Sequence, residues 1–207
     1  RTVPEAVAEA IPEIADGVEA IVETVLAGGR VFFLGAGTSG RLGVLEASEI
    51  TPTFGVSPDL FKAFVSGGKG GVFGSVEASE DDDISGGRAL VDHDFEEKDL
   101  LVAISASGRT LFALGAMRVA MGLGARIVAV TNNRGSEMGE LADVSIVVDT
   151  GPEVVSGSTR MKAGTAQKLV LNMLTTAAMT RLGRVHDGYM IGVQASNVKL
   201  RERAARI

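Results

Sequence analysis

The sequence contains no cysteine, and aromatic residues make up only 4% of its 207 residues. Without cysteine, a disulfide framework, a thiolate zinc site and a cysteine nucleophile are all excluded. A reducing cytoplasm is compatible with this composition, and we expect a cytoplasmic protein. Because 45% of the residues are nevertheless apolar, the core must be built mainly from Ala, Val, Leu, Ile and Met.

Long apolar runs are also missing, since no segment reaches the roughly 18 to 20 residues of a membrane span. The N-terminus lacks a basic-then-apolar signal pattern, so we expect a soluble protein without a membrane partner. The two histidines, His93 and His186, are far apart, and no HExxH or similar spacing indicates a metal site. The net charge of −6 works against nonspecific binding of nucleic acid, so any bound anion must be held by local geometry.

The pattern of apolar residues predicts a single α/β domain over residues 1–207. Residues 2–27 have helical spacing and are divided by Pro12, so 1–29 is predicted as a helical N-terminal segment. Five nearly continuous apolar runs then indicate strands of a parallel sheet that is buried on both faces. They begin at Arg30, Phe61, Asp99, Ala125 and Val144, and helical patterns lie near 40–50, 83–92, 110–122 and 136–142.

Alternation of strand and helix favours a right-handed, doubly wound architecture. A long helical pattern follows from Ser158, and we predict a further C-terminal helix over 184–207. The expected fold class is therefore α/β: a three-layer α-β-α sandwich around a five-stranded parallel sheet, with additional N- and C-terminal helices.

Three loops rich in Gly, Ser and Thr follow strands of the predicted sheet. Ligands of open parallel sheets gather at the carboxyl ends of the strands, near the point where strand order reverses. The first loop, "GAGTSGR" over 35–41, matches the GxGxxG pattern of dinucleotide folds. Its adjacent hydroxyls, Thr38 and Ser39, argue against that interpretation. The next strand also ends in "VSGGKGG" rather than in an acidic residue suited to a ribose.

The second loop, "SASGRT" over 105–110, again opens a helix, where backbone N–H groups and the helix dipole favour an anion. Two such turns suit a compact phosphate monoester, and the alternative is that Ser and Thr merely cap the helices. The third loop, "GPEVVSGSTRMKAGT" over 151–165, adds donors, positive charge and one potential acid or base. These residues are Ser156, Ser158, Thr159, Arg160, Lys162 and Glu153.

Read together, the three loops resemble a sugar isomerase (SIS) domain, a flavodoxin-like phosphosugar-binding module. The stretches "LGAGTSGRLGVLEASE", "PTFGVSP", "ASGRT" and "GPEVVSGSTRMKAGTAQKLVLNML" closely resemble the bacterial N-acetylmuramic acid 6-phosphate etherases. The resemblance extends from "TVPEAV" to "NVKL". It implies cleavage of the lactyl ether to N-acetylglucosamine 6-phosphate and D-lactate during cell-wall recycling, without a metal or organic cofactor.

The same reaction can be argued from its chemistry. In the open-chain aldehyde the C2 hydrogen is acidic because its carbanion is an enolate, so elimination across C2 and C3 is feasible. Two carboxylates can supply the base and the acid, and reverse these roles when water adds. The resemblance places the family's proton donor on Glu49 of "EASE", which would protonate the lactate oxygen and activate water. It places a second glutamate on Glu80 of "VEASED", for C2 proton transfer or ring opening, whereas Glu46 is interpreted as helix surface.

The resemblance also implies a set of phosphosugar contacts in the loops: Thr38, Ser39, Ser105, Ser107, Gly108, Arg109, Thr110, Ser158 and Thr159. Arg109 and Arg160 are candidates for binding the lactate carboxylate or phosphate, or for structural salt bridges. Glu49 lies about ten residues along its helix from Ser39, or roughly 15 Å at about 1.5 Å per residue. Because a hexose phosphate does not reach that far, we predict a homodimer with active sites at the subunit interface.

The chain departs from the family's pattern at three positions. Gly188 stands where the family has Asn, Gly192 where it has Asp, and Ser105 where Ala is common. The family also has further segments before "TVPEAV" and after "NVKL".

Two rival functions share the same loops. One is a regulatory sugar-phosphate sensor like the glucokinase regulatory protein, which binds a ketohexose phosphate. The other is an aldose–ketose phosphosugar isomerase that uses Glu153 as its base, and this interpretation leaves Glu49 and Glu80 without a task.

Overall fold

A five-stranded parallel sheet lies between two layers of helices in the computed structural model, which describes residues 2–74, 76–192 and 201. The strands are β1 (Val31–Gly35), β2 (Phe61–Val65), β3 (Leu100–Ser105), β4 (Arg126–Thr131) and β5 (Val144–Val147). The helices are α1 (Thr2–Glu9), α2 (Ile11–Leu26), α3 (Gly37–Phe54), α4 (Gly68–Phe73), α5 (Asp83–Val91), α6 (Leu111–Leu123), α7 (Glu137–Leu141) and α8 (Lys162–Arg181). A two-stranded antiparallel pair, β6 (Val185–His186) and β7 (Tyr189–Met190), follows α8.

The strand order β2-β1-β3-β4-β5 is that of a flavodoxin-like sheet, and every neighbouring pair in it is parallel. This confirms the predicted five-stranded α/β sandwich. The order reverses between β1 and β3, which are paired so that Gly35 lies opposite Ile104. The chain therefore leaves both strands at the same edge, where a doubly wound sheet places its ligand site.

The alternation of side chains along the central strands divides the core between the two helical layers. In β1, Val31 and Phe33 belong to the cluster that also contains residues of α1, α2, α3 and α8. Phe32 and Leu34 face the opposite cluster, formed with α5, α6 and α7. All five residues of β1 and all six of β3 are buried, as their continuous apolar runs predict for central parallel strands.

The two predicted N-terminal helices are present, and Ala10 separates them. Pro12 lies in the first turn of α2, where its missing N–H has no intrahelical partner to lose. Both helices pack against α8 through the same core cluster. No helix of the described residues combines the length and apolar character needed to cross a membrane.

The predicted C-terminal helix over 184–207 is wrong at its start, because β6 and β7 form a hairpin there. Asp187 and Gly188 connect the two strands with φ angles of 48° and 82°, the two positive values that a type I′ turn requires. Residues 193–200 and 202–207 lie outside the described residues, and the remainder of the predicted helix falls on them. The sequence patterns also missed α4 and the 3₁₀ turn Glu77–Ser79 that follows it.

Candidate functional site

Two helices begin without a side-chain cap at the point where strand order reverses. Helix α3 starts after β1 and helix α6 after β3, and neither capping residue, Ala36 or Thr110, accepts a hydrogen bond from a backbone N–H with its side chain. By contrast, Asp82 caps α5 and Ser136 caps α7. Free N–H groups and the helix dipole make such uncapped ends favourable for an anion. The adjacent ends of α3 and α6 are therefore suited to an anion, and at α6 one of the first N–H groups, that of Phe112, already donates to the carbonyl of Glu80.

A polar cavity of about 430 Å³ opens beside the N-terminus of α3. This volume falls within the range of small-molecule sites, about 300–1,000 Å³. Its walls come from the start of α3, the β5–α8 loop and the chain between β2 and α5. Five residues predicted from the sequence line it: Thr38, Glu80, Ser158, Thr159 and Arg160. The structure thus brings one predicted catalytic glutamate together with hydroxyls from two of the three loops.

The carboxylate of Glu80 lies against the turn that opens α3. Gly37 has a φ of +52°, and a Cβ at this position would be 2.9 Å from Glu80 Oε1. The backbone carbonyl of Glu80 accepts a hydrogen bond of 3.0 Å from Phe112 N in α6. Glu80 is therefore held between the two helix N-termini, with its carboxylate at the cavity wall.

Ser39 is buried and belongs to a chain of polar side chains under the cavity. Its hydroxyl donates to Gln167 Oε1 at 2.9 Å, and Gln167 Nε2 donates to Asn132 Oδ1 at 3.0 Å. Asn132 Nδ2 in turn donates to the carbonyl of Val148 at 2.8 Å. This chain ties the β1–α3 loop to α8 and to the ends of β4 and β5. The structure does not place Ser39 on the cavity surface. Gln167 and Asn132 were not predicted from the sequence.

The β3–α6 loop is organised around the hydroxyl of Ser105, which is 3% exposed. Its Oγ lies 2.8 Å from Thr110 Oγ1 and 3.3 Å from Ser107 Oγ, and it accepts from Gly108 N at 3.0 Å. Ser107 and Arg109 are exposed, and Thr110 is half-buried. Ser105 therefore shapes the loop from below, whereas Ser107 and Thr110 stand where a ligand can reach them.

Glu153 serves as a cap for α8. Its two carboxylate oxygens accept hydrogen bonds from Ala163 N at 2.9 Å and Lys162 N at 3.0 Å. These backbone hydrogen bonds, the one from Ala163 first, hold the pKa of Glu153 below its ordinary value of 4.5. A carboxylate occupied in this way is a weak base, which removes the structural support for an isomerase that uses Glu153.

Glu46 and Glu49 occupy opposite environments on α3. Glu46 is 4% exposed, so its interpretation as helix surface is wrong. Its carboxylate accepts from Lys168 Nζ at 2.8 Å, from Asn172 Nδ2 at 2.7 Å and from the hydroxyl of Thr175, all on α8. Glu49 is exposed and does not line the cavity.

The arginine candidates differ in their surroundings. Arg160 lines the cavity and Arg109 is exposed on the β3–α6 loop. Among the described residues neither forms a salt bridge. Arg41, which was not among the candidates from the sequence, also lines the cavity. Within the described part of the chain no three His, Asp or Glu side chains form a cluster suited to a metal ion.

The departure at Gly192 has a steric reason. A Cβ at this position would lie 2.2 Å from the carbonyl oxygen of Phe54, at the end of α3. The backbone after the hairpin thus packs directly on α3, and a residue with a Cβ would not fit this arrangement.

Two protein-family comparisons match this chain over about half its length each. Residues 13–121 match the glucokinase regulatory protein N-terminal SIS domain, and residues 76–177 match the SIS domain. An N-acetylmuramic acid 6-phosphate etherase from Glaesserella parasuis is 50% identical over all 207 residues, which cover 68% of that protein. The etherase of the same name from Clostridioides difficile is 47% identical over the same span and coverage.

Solved structures with the same fold are more distant in sequence. A ligand-bound protein of E. coli CFT073 has a TM-score of 0.65 and 19% identity, covering 90% of this chain and 89% of that chain. A phosphoheptose isomerase from Francisella tularensis has a TM-score of 0.60 and 20% identity, covering 86% and 93%. At these identities the likeness establishes the shared fold and nothing about activity.

Proposed function

The chain belongs to the N-acetylmuramic acid 6-phosphate etherase family, and from this membership we propose that it is a carbon–oxygen lyase acting on N-acetylmuramic acid 6-phosphate. It breaks the D-lactyl ether, releases D-lactate and leaves N-acetylglucosamine 6-phosphate, a step in the recycling of cell-wall amino sugars. The observation that carries this proposal is the 50% identity to a curated etherase over the whole chain.

The phosphate of the substrate has a suitable place at the uncapped ends of α3 and α6. The hydroxyls of Thr38, Ser158 and Thr159 line the cavity, and those of Ser107 and Thr110 lie on the adjacent loop. We assign these side chains, with the free N–H groups, to the phosphosugar. Ser39 and Ser105 are assigned to holding the loops in place, since their hydroxyls bond to protein atoms.

The elimination requires an acid and a base on the two sides of the C2–C3 bond. We assign Glu80 to removing the C2 proton of the open-chain sugar, because its carboxylate lies at the cavity wall beside Gly37. We assign Glu49 to protonating the ether oxygen as the C3–O bond breaks. Glu49 then accepts a proton from the water that adds to C3, while the C2 carbon regains a proton.

The position of Glu49 supports a homodimer with shared active sites. It is exposed and twelve residues beyond Gly37 on α3, or about 18 Å at about 1.5 Å per residue. With Glu80 beside Gly37, this rise is longer than one hexose, which favours a Glu49 supplied by another chain. A second subunit that presents its own Glu49 to this cavity would complete the pair.

The cytoplasmic location expected from the composition also stays a prediction.

Turnover in deuterated water tests the proposed activity. Incubation with N-acetylmuramic acid 6-phosphate should release D-lactate and leave deuterium at C2 of the sugar product, because C2 is deprotonated and reprotonated. Binding of the substrate without release of lactate would instead support a regulatory sensor. Isomerisation of a hexose phosphate without ether cleavage would support an isomerase.

The assigned roles of the glutamates can be separated by substitution. Glu49→Gln should nearly abolish lactate release but retain C2 hydrogen exchange on the product, since Glu80 remains. Glu80→Gln should slow both processes. Glu9→Gln, an exposed carboxylate on α1, is the matched control and should change neither. If Glu49→Gln loses C2 exchange while lactate release persists, the assignment is reversed.

A further inference from the structure

Arg41 connects the loop that opens α3 to the opposite wall of the cavity. Its Nε donates to the carbonyl oxygens of Gly71 at 2.9 Å and Val72 at 3.1 Å, and its Nη2 donates to that of Gly74. All three acceptors lie at the C-terminal end of α4. Among the described residues Arg41 forms no salt bridge.

Helix α4 has little stability of its own. It is six residues long, three of them glycine, and it has no side-chain cap at its N-terminus. Helices this short are marginal in water, and glycine is unfavourable in them because it loses the most backbone freedom. The last carbonyl groups of any helix lack intrahelical donors. Arg41 supplies these missing donors through one rigid, planar group.

The segment that Arg41 holds is also the cavity wall that leads to Glu80. Gly71, Gly74 and Val76 line the cavity with Arg41 itself, and Glu80 follows a few residues later. The start of α3 is in turn fixed on the sheet, because the Cα of Gly40 approaches β1 so closely that a Cβ would lie 2.3 Å from Gly35 O. Arg41 therefore connects α4 to a part of α3 that is fixed on β1.

We propose that Arg41 is a positioning residue that orders α4 and thereby sets the place of Glu80 for C2 proton transfer. The effect of Arg41 on catalysis rests on the proposed etherase function. Its ordering of α4 does not depend on that function. The planar guanidinium is required because a lysine ammonium cannot donate to three carbonyl groups that are arranged along one edge of a planar group.

Hydrogen exchange tests the structural part without any substrate. In Arg41→Met, backbone amides of residues 68–74 should exchange at least about tenfold faster, as expected when hydrogen bonds of a local segment are lost. Arg41→Lys should show nearly the same increase. Arg184→Met removes an exposed arginine between α8 and β6 that lines neither the cavity nor the surface beside α4, and exchange in 68–74 should not change. Unchanged exchange in Arg41→Met would overturn the proposal.

Steady-state kinetics test the catalytic part. Arg41→Met and Arg41→Lys should both lower kcat by about tenfold or more, with a much smaller change in KM, because Glu80 is displaced while the phosphate contacts remain. Full rescue by lysine, or a rise in KM at constant kcat, would show that Arg41 binds the substrate's charge directly and would overturn the proposal. If the wild-type chain releases no lactate, the proposed function fails, and the hydrogen-exchange result still decides the role of Arg41.

Discussion

Individual residues of this protein show why two glutamates three positions apart lie in different environments. Their spacing places both on α3, yet the motif alone does not reveal which of them faces α8. Glu46 faces it, because Lys168, Asn172 and Thr175 recur there at helical spacing and bind its carboxylate. The signal that would have revealed this is the polar stripe on α8, a helix whose other buried residues are mainly apolar.

Removing the Glu46 carboxylate should destabilise the protein. Glu46→Ala leaves the ammonium of Lys168 and the amide of Asn172 without this acceptor, whereas the hydroxyl of Thr175 keeps the carbonyl of Leu171. Because Lys168 keeps 34% of its side chain exposed, we expect the lower end of the range for broken buried pairs, a loss of about 3 kcal/mol in the free energy of unfolding. Urea denaturation measures this loss. Glu9→Ala, an exposed control, should change the value little, and equal values for the two variants would contradict the buried network.

The cap on α8 makes a pH-dependent contribution to stability. The folded pKa of Glu153 is lowered, so its stabilisation is complete above about pH 4.5 and is lost as the pH falls through the folded pKa. Glu153→Gln should therefore lower the unfolding free energy by about 1 kcal/mol at neutral pH. The difference in unfolding free energy between this variant and wild type should shrink in acid. Urea denaturation at neutral pH and again in acid measures the change. A difference that does not change with pH would contradict the cap.

At the scale of secondary-structure elements, the strands and long helices could be predicted and the short elements could not. Each central strand has a continuous apolar run, and α2, α6 and α8 have helical spacing. Helix α4 has no such pattern. It is ordered by hydrogen bonds from Arg41, which lies about thirty residues away and leaves no local signal in the sequence of α4. The hairpin after α8 did leave a local signal, the Asp-Gly pair at 187 and 188.

The packing of α5 on α6 depends on close backbone contact. A Cβ at Gly115 of α6 would lie 1.9 Å from the carbonyl oxygen of Asp83 in α5, whereas one at Gly122 of the same helix meets nothing within 4 Å. Gly115→Ala should therefore lower the unfolding free energy by at least about 3 kcal/mol through overpacking.

Gly122→Ala provides the matched control on α6. It should stabilise the protein by about 0.5–1 kcal/mol, because alanine is the better helix former. Thermal or urea denaturation of both variants measures the contrast. Similar stabilities for the two would show that α5 and α6 are not in backbone contact.

At the scale of the whole molecule, the sequence motifs predict the edge of the sheet where the candidate site lies but do not distinguish surface residues from those beneath them. Thr38 of the first loop and Ser158 and Thr159 of the third line one cavity together with Glu80, whereas no residue of the second loop lines it. Ser39 and Ser105 belong to the layer beneath. A serine in such a loop has the same sequence signature whether its hydroxyl faces a ligand or the protein, so only the fold separates the two.

The shared-site homodimer leads to a complementation prediction. Glu49→Gln and Glu80→Gln chains should each release lactate slowly when alone. Mixed dimers of the two should regain activity, because one of their two sites combines an intact Glu49 from one chain with an intact Glu80 from the other. The lactate release rate of an equimolar, co-folded mixture measures this. Activity no greater than the sum of the separate variants would place both glutamates of a site in one chain.

The fate of solvent oxygen tests elimination followed by water addition most directly. Wild-type protein is incubated with N-acetylmuramic acid 6-phosphate in water enriched in oxygen-18. Mass spectrometry with fragmentation then locates the label in both products. If the C3–O bond breaks, the ether oxygen leaves with lactate and the label appears in the C3 hydroxyl of N-acetylglucosamine 6-phosphate. A sugar product whose C3 hydroxyl is unlabelled, with the label carried by lactate instead, would contradict the proposed mechanism.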